Sequence, residues 1–163
     1  MRRALLVLGL AVWLAPGCAV KATGVVHPAQ PRPTLDTFDG QSWELSTSGD
    51  AEVLQWLDGH SVKVEGTAIG RRLRVSSWTV TDGLHALQVW VGPLVVDGAQ
   101  VGLLDHNSGA FYIVDGAAAD TLARYRGLPV LLEGWVDGAH RVRVLYFRVL
   151  ADPETVRARG EAR

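Results

Sequence analysis

An arginine followed four residues later by an aromatic residue occurs twice in this sequence. Arg74 precedes Trp78, and Arg143 precedes Phe147. Residues at even spacing lie on the same face of a β-strand, so each arginine can lie beside its own aromatic ring. An arginine over an aromatic ring gains about 0.5–2 kcal/mol. The spacing therefore predicts a ligand-binding surface, suited to sugars, peptides or bases, formed by Arg74, Trp78, Arg143 and Phe147.

The same four residues allow a structural interpretation. Trp78 and Phe147 can be buried between two folded modules, while the stems of Arg74 and Arg143 cover apolar surface. A β-bulge in either strand would also place the arginine and the aromatic ring on opposite faces. A structure that shows the exposure of each side chain decides between these alternatives.

Histidines in short turns are the other candidates for chemistry. His60, His85 and His140 each follow an Asp-Gly pair, which is a turn dipeptide. Asp105 and His106 begin the segment "DHNSG", which also contains Asn107 and is typical of a hairpin connection. No His-Glu-x-x-His motif or cysteine pair accompanies them. We therefore predict turns here, and we predict no metal ion or other cofactor.

The motifs of nucleophilic catalysis are missing from the sequence. It contains no Gly-x-Ser-x-Gly elbow, no Ser-x-x-Lys and no phosphate-binding glycine loop. Glu65 and Glu133 could form a carboxylate pair, but they recur at equivalent positions of an internal repeat, which indicates the same structural turn used twice. The sequence predicts a protein that is not an enzyme. A metal-dependent enzyme with converging histidine turns is the alternative.

The internal repeat supplies the elements that must position these residues. Residues Trp43–Gly66 align without a gap on Phe111–Gly134, with six of the 24 positions identical. After one inserted residue, Leu73-Arg74-Val75 aligns with Val142-Arg143-Val144. The ungapped register and shared order of features indicate a duplicated module.

Each copy of the repeat predicts the same series of elements. Alternating apolar residues predict a strand, and apolar residues three apart predict a short helix that ends at Gly59 or Gly127. Two alternating β-branched segments follow, joined by a glycine turn at Gly70 or Gly138. The second copy has two further strands in front, "LQVWVGPLVV" and "AQVGLLD", joined at Asp97-Gly98.

Residues 88–150 are predicted to form three strands, a short helix and then two further strands. This order resembles the oligonucleotide/oligosaccharide-binding (OB) fold, a five-stranded barrel with a helix between its third and fourth strands. The resemblance implies a mostly-β protein with two tandem OB-like barrels, each with one short helix. We place the first at residues 38–81 and the second at 86–150. No strand pair is evident ahead of Trp43, which leaves open whether the first module is complete.

The N-terminus predicts export. Arg2 and Arg3 precede an apolar run from Ala4 to Ala15, which is typical of a signal peptide and too short to span a bilayer. We assign the signal peptide to residues 1–17. "LAPGC" resembles the lipobox of bacterial lipoproteins, which implies lipidation of Cys18, the only cysteine. The alternative is cleavage near Ala15 or Ala19 with Cys18 unmodified.

The predicted mature chain begins with a tether and ends with a tail. Residues 18–37, with three prolines, are expected to form a lipidated N-terminus and a semi-rigid spacer. The alternative for the last residues, Leu35 to Phe38, is an edge strand of the first module. Residues 151–163 are polar and are expected to fray. Removal of residues 1–17 lowers the basic count from 16 to 14 against 17 acidic residues, a net charge of −3. This mild acidity disfavours binding to nucleic acid.

These features together predict a lipoprotein of the bacterial cell envelope that faces the periplasm or the cell surface. Ala19 follows Cys18 where some inner-membrane lipoproteins carry aspartate, which favours the outer membrane. The expected function is non-catalytic binding or assembly, with a protein or a glycan as the partner. A structural scaffold whose modules pack on each other is the alternative.

Overall fold

The chain folds into two β-barrels joined by a short linker. The computed structural model describes residues 17–29, 31–85 and 87–161. The predicted signal peptide therefore lies outside the described residues, apart from Gly17. The first barrel consists of β1 (Cys18–His27), β2 (Thr34–Thr37), β3 (Ser42–Ser46), β4 (Ser61–Ile69) and β5 (Arg72–Asp82). The second consists of β6 (Gln88–Asp97), β7 (Gln100–Leu104), β8 (Phe111–Asp115), β9 (Pro129–Val136) and β10 (Arg141–Val149).

Both barrels close in the same strand order. The first runs β1-β2-β3-β5-β4 and returns to β1, and the second runs β6-β7-β8-β10-β9 and returns to β6. In each barrel the third and fifth strands pair in parallel, and the other neighbours are antiparallel. The prediction of a mostly-β chain with two similar modules is confirmed.

The predicted tether is wrong, because its residues are strands of the first barrel. β1 begins at Cys18 and pairs with β4 from Cys18–Ala68 to Val25–Ser61. Ala22, Gly24 and Val26 alternate toward the interior and are buried. Alanine and glycine contribute so little hydrophobicity that this alternation is hard to recognise in the sequence.

The first module is consequently a complete five-stranded barrel, which answers the question that the sequence left open. It extends from Cys18 to Asp82 rather than over residues 38–81. The prolines that suggested a spacer lie at the connection between β1 and β2, where no ladder hydrogen bond is required of them. They are Pro28, Pro31 and Pro33.

A short helix lies between the third and fourth strands of each barrel, as predicted. In the first barrel it is a 3₁₀ helix, Gly49–Trp56. In the second it is α1 (Ala118–Leu122), followed by the 3₁₀ turn Ala123–Tyr125. Leu54 and Leu122 are equivalent residues of these helices, and both are 0% exposed. Each helix therefore contributes one leucine to the core of its own barrel.

The repeated Glu-Gly pair marks a β-bulge in each barrel. The register between β4 and β5 shifts at Glu65/Gly66, and that between β9 and β10 shifts between Val144 and Tyr146, opposite Gly134 and Glu133. A Cβ atom on Gly66 would lie 2.0 Å from the carbonyl oxygen of Arg74. A Cβ atom on Gly134 would lie 2.0 Å from that of Arg143. Glycine is required at both positions because the bulged strand approaches so closely.

A second pair of glycines extends the duplication to the first strand. Gly24 faces the carbonyl of Asp36, and Gly92 faces the carbonyl of Leu104, with a hypothetical Cβ 2.2 Å and 1.8 Å from the oxygen. Gly24 and Gly92 are separated by 68 positions, the same spacing as that between Gly66 and Gly134. The repeat therefore begins at β1, ahead of the segment in which the sequences align.

The register of β8 differs by one residue from the sequence alignment. Leu35 pairs with Trp43 in the first barrel, whereas Leu103 pairs with Tyr112 in the second. Tyr112 therefore occupies the position that the alignment assigns to Phe111, because the turn before β8 is one residue longer. A one-residue shift reverses the faces of a strand. Phe111 accordingly lies on the outside of the barrel, 41% exposed.

The outer face of the second barrel packs against the first. Val130 and Leu132 of β9 point into the second core, while Leu131 between them belongs to the core of the first barrel. Val91 and Leu150 also join the first core. β9 is therefore buried on both faces, and the two barrels share a continuous apolar junction.

The C-terminal tail also differs from its prediction. It forms the helix α2 (Pro153–Glu161), which contacts the 3₁₀ turn Ala123–Tyr125. Asp152 caps this helix, since its Oδ1 accepts a hydrogen bond from the Thr155 amide at 2.9 Å. Pro153 occupies the first helical position, where its fixed φ is favourable. Cap and proline together explain why a polar segment is helical up to Glu161.

Candidate functional site

The four residues predicted to bind a ligand do not share a surface. Arg74 and Arg143 are exposed, Trp78 is 5% exposed, and Phe147 packs against the second core. The bulges lie between each arginine and its aromatic residue, so the two side chains fall on opposite faces. The predicted pairing of arginine with aromatic ring is therefore wrong in both barrels.

Trp78 belongs to the junction between the barrels. Its ring stacks on His106 of the second barrel, with centroids 4.1 Å apart and planes 14° apart. Nε2 of His106 lies 3.1 Å from the Trp78 carbonyl oxygen, and Nδ2 of the Asn107 side chain donates to the Val80 carbonyl oxygen at 3.1 Å. The turn before β8 thus holds the end of β5.

Asp105 organises that turn. Its Oδ2 accepts hydrogen bonds from the amide and the hydroxyl of Ser108, at 2.9 Å and 2.7 Å. Its Oδ1 accepts one from the Val91 amide at 3.1 Å. The carboxylate is thereby satisfied by the chain itself, and the interpretation of "DHNSG" as a turn is confirmed. Within the described ranges, no cluster of three or more His, Cys, Asp or Glu side chains is arranged to hold a metal ion.

Glu133 and Glu65 occupy equivalent positions but different environments. Glu65 is partly exposed and pairs with Lys21 at 2.8 Å. Glu133 is 0% exposed, because it lies on the face of β9 that packs on the first barrel. Its carboxylate accepts hydrogen bonds from the amides of Leu84 and His85, at 2.9 Å and 3.2 Å. It therefore holds the linker between the barrels.

Two histidines from outside the second barrel complete this cluster. Nδ1 of His85 lies 2.7 Å from Glu133 Oε2, and Nε2 of His60 lies 3.4 Å from Oε1. His60 is fully buried, and its Nε2 has no hydrogen-bond partner of good geometry among the described residues. Burial alone raises the pKa of Glu133, but the Leu84 amide and His85 outweigh it, so the pKa is lowered below its usual value. The turns that carry His60 and His85 thus meet one buried carboxylate, while His140 lies apart in the β9–β10 turn.

An apolar concavity lies where the first barrel meets β10 and α2. It is a groove of about 500 Å³. The first barrel contributes the end of its 3₁₀ helix and the residues after β1, and the second contributes the end of β10 and one face of α2. We call it the junction groove, and its principal lining residues are Pro28, Trp56, Arg148, Val149, Val156 and Arg157.

Contacts between the barrels fix the shape of the junction groove. Nη1 of Arg148 donates to the Trp56 carbonyl oxygen at 3.3 Å, which links β10 to the 3₁₀ helix. The Asp152 cap fixes the start of α2, the helix on which Val156 and Arg157 lie. Rigid elements with satisfied backbone groups therefore form most of its walls.

The chemistry of the junction groove is that of a binding site. Trp56, the prolines and the valines offer apolar surface, and two guanidinium groups and one carboxylate, that of Asp58, lie beside it. Concave apolar surfaces with a few charged groups are where proteins commonly bind ligands, often between domains. Such a groove can receive an apolar side chain whose neighbour carries a carboxylate, since arginine pairs well with carboxylates.

The sequence contains two signals that bear on this groove. Asp152-Pro153 is a strong helix start, because the aspartate caps the helix and the proline suits its first position. Trp56 stands where the second copy has Arg124, so this aromatic residue is not required by the shared fold. Neither signal shows from sequence alone that Trp56 and Pro153 line the same groove.

None of the helices within residues 17–29, 31–85 and 87–161 is both long and apolar enough to cross a membrane.

Comparison of the chain with protein-family models, curated proteins and solved structures finds no significant match.

Proposed function

We propose that this protein is a non-catalytic binding module of the bacterial cell envelope, anchored through lipid on Cys18, that holds a protein partner in the junction groove. The observation that carries the proposal is the groove itself, because it is apolar, bordered by Arg148 and Arg157, and built jointly by both barrels. The ligand class it fits is an extended protein segment with an apolar side chain next to an acidic one.

The lining of the groove favours a protein over a glycan. Trp56 could stack on a sugar ring, and polar side chains at the edge of the groove could bond some hydroxyls, but most of the lining is apolar. Sugar hydroxyls against Val149, Val156 and Pro28 would lose their bonds to water without replacement. Apolar side chains of a partner protein incur no such cost.

The architecture supports assigning both barrels to the OB fold. Each has five strands closed in the same order and a short helix between the third and fourth strands. OB folds serve widely as binding modules, which agrees with the proposed function. The absence of a catalytic motif in the sequence agrees with a binding protein rather than an enzyme.

Site-specific photo-crosslinking in cells tests this proposal. A photo-reactive phenylalanine analogue replaces Gln55 at the groove, and Lys63, exposed on β4, serves as the control position. We expect a defined protein adduct from position 55 and none from position 63. The adduct is identified by mass spectrometry, and its purified protein is then titrated against the wild type by calorimetry.

Charge-reversal variants of α2 supply the matched control. Arg157→Glu should abolish the adduct and the calorimetric signal, whereas Arg159→Glu, on the same helix but outside the groove, should leave both unchanged. Equal loss in both variants, or no loss in either, would count against the groove as the binding site. If purified peptidoglycan fragments bind to the wild type but not to Trp56→Ala, the ligand of the groove is a glycan rather than a protein.

A structural scaffold is the second candidate function, and a specific observation favours it. Trp78, His106 and Glu133 are all used to join the barrels, which leaves them unavailable to a ligand. In a pure scaffold, position 55 would give no defined adduct, and Arg157→Glu would leave stability unchanged. The junction-groove variants therefore distinguish a binding module from a scaffold.

A further inference from the structure

We infer that one end of the first barrel lies directly on the membrane surface, with Phe38 and Ile69 inserted at the lipid interface. This inference rests on the proposed lipidation of Cys18. It adds to that proposal a defined contact surface and a fixed orientation of the protein. We call this end the membrane rim.

The start of β1 and the β4–β5 turn lie together at the membrane rim. Cys18 pairs with Ala68, the residue before Ile69, and a Cβ atom on Gly17 would lie 3.5 Å from Cγ1 of Ile69. The chain therefore enters the barrel beside Ile69. A lipid attached to Cys18 would emerge at the same point, with no spacer in between.

The β2–β3 turn borders the same end. The Phe38 amide donates to the Thr23 carbonyl on β1 at 3.4 Å, and the Glu44 amide donates to the Arg71 carbonyl in the β4–β5 turn at 2.9 Å. A concavity lined by Gly40, Trp43 and Gly70, among others, joins the two turns. Phe38 and Ile69 thus stand on neighbouring turns at one end of the barrel.

Exposure singles out these two side chains. Phe38 is 71% exposed and Ile69 is 67% exposed, the highest values among the large apolar residues described. Neither is needed in the core. Large apolar side chains exposed at one end of a barrel are a common feature of surfaces that bind a membrane or a protein.

Charge does not oppose this contact. Lys21 pairs with Glu65 at 2.8 Å and Arg72 with Glu44 at 3.1 Å, so both cations are compensated. The Asp39 carboxylate accepts hydrogen bonds from Thr37 and Gln41, and Arg71 forms no salt bridge within the described part of the chain. The rim is close to neutral, so the apolar pair decides what it contacts.

The chain ahead of the barrel identifies the bilayer as the occupant. Residues 4–15 are apolar and would direct the chain to a membrane, and the lipidation site follows at residue 18. Cys18 begins β1 at the end of the barrel where Phe38 and Ile69 are exposed. Amphipathic surfaces bind about 5–10 Å into the headgroup region, and a lipid chain adds to their affinity. A protein partner at this end would have to compete with the lipid that adjoins it.

The membrane rim also fixes where the junction groove points. β1 has ten residues, from Cys18 at the rim to His27 at its other end. At about 3.3 Å per residue, it spans roughly 30 Å. Pro28, the next residue, lines the junction groove. The groove would therefore open on the side of the barrel away from the bilayer, within reach of a partner.

Environment-sensitive labels on the lipidated full chain test the inference. Because acylation blocks Cys18, single cysteines introduced by Phe38→Cys, Ile69→Cys and Ala29→Cys can each carry an NBD fluorophore. The labelled proteins are bound to vesicles of phosphatidylethanolamine and phosphatidylglycerol. We expect a blue shift at positions 38 and 69, with quenching by doxyl-labelled lipid. Position 29, at the opposite end of β1, should show neither.

Each other outcome counts against a stated part of the inference. Labels at 38 and 69 that stay unshifted on vesicle-bound protein overturn the membrane rim but not lipidation. A protein that does not float with vesicles, and whose Cys18 lacks lipid by mass spectrometry, overturns both. The junction groove is measured separately by crosslinking and calorimetry, so a failure there leaves the label result intact.

Discussion

The carboxylate of Glu133 and the ring of His60 come from different barrels and meet where solvent has no access. Glu133 Oε1 lies 3.4 Å from His60 Nε2, and both side chains are 0% exposed. In the first barrel the equivalent glutamate, Glu65, points outward to Lys21. The duplication thus placed the same residue type at a solvent-facing site in one barrel and at a junction in the other.

Replacing Glu133 should destabilise the whole protein. We expect Glu133→Gln to lower the free energy of unfolding by about 1–3 kcal/mol, because buried donors lose a charged acceptor. Glu65→Gln is the matched control and should leave the unfolding midpoint unchanged. Urea unfolding followed by tryptophan fluorescence measures both. Equal effects of the two variants would show that the junction does not depend on the Glu133 carboxylate.

Acid should remove the contribution of Glu133. Its pKa is lowered from the ordinary value of 4.5, so the carboxylate stabilises the folded state above that pH. This stabilisation is lost as the pH falls through the lower, folded-state pKa. The difference in unfolding free energy between wild type and Glu133→Gln should therefore be largest near neutral pH and shrink on acidification. A difference that stays constant down to low pH would contradict this linkage.

The bulge glycines should tolerate no side chain. Gly66→Ala and Gly134→Ala would each place a Cβ atom 2.0 Å from a carbonyl oxygen, so we expect each to lower the free energy of unfolding by about 1–3 kcal/mol. Gly160→Ala is the control, since it lies in α2, where alanine should stabilise by about 0.5–1 kcal/mol. Thermal unfolding should show opposite shifts of Tm for the two classes. A neutral Gly134→Ala would mean that the strand register is wrong there.

Replacing Trp78 should destabilise the protein far more than replacing Arg74, although both residues lie on β5. Trp78→Ala removes a ring that is 5% exposed and stacked on His106, and should cost about 3–5 kcal/mol. Arg74→Ala changes an exposed residue and should shift stability by no more than about 0.5 kcal/mol. Chemical denaturation measures both variants. Loss of stability in Arg74→Ala of the size expected for Trp78→Ala would contradict the assignment of faces.

Sequence reasoning identified most of the repeated core but not the partners of each strand. The helix leucines, the glycine turns and the strands of the second barrel follow from period and turn chemistry, which act locally. β1 was missed because Ala22 and Gly24 bury almost no apolar side chain, and neighbouring prolines suggested a tether. The reversed face of Phe111 follows from one extra turn residue, which a gapless alignment cannot show.

The candidate site was harder to predict because it depends on how the barrels pack. One signal was visible: "VKVEG" alternates between apolar and polar residues, whereas "VLLEG" does not. A strand without alternation is commonly buried on both faces. Leu131 in place of Lys63 therefore indicated that β9 has a neighbour on its outer face. The identity of that neighbour requires the tertiary structure.

The two faces of β9 make the halves of this duplication unequal. One strand supplies Leu132 to its own barrel and Leu131 to the other. Separating the barrels would therefore leave the first core incomplete and expose apolar surface of the second barrel. Unfolding should accordingly proceed as a single cooperative transition rather than in two steps. The first barrel completes its core with side chains of its neighbour and the second does not, so neither copy can be exchanged for the other.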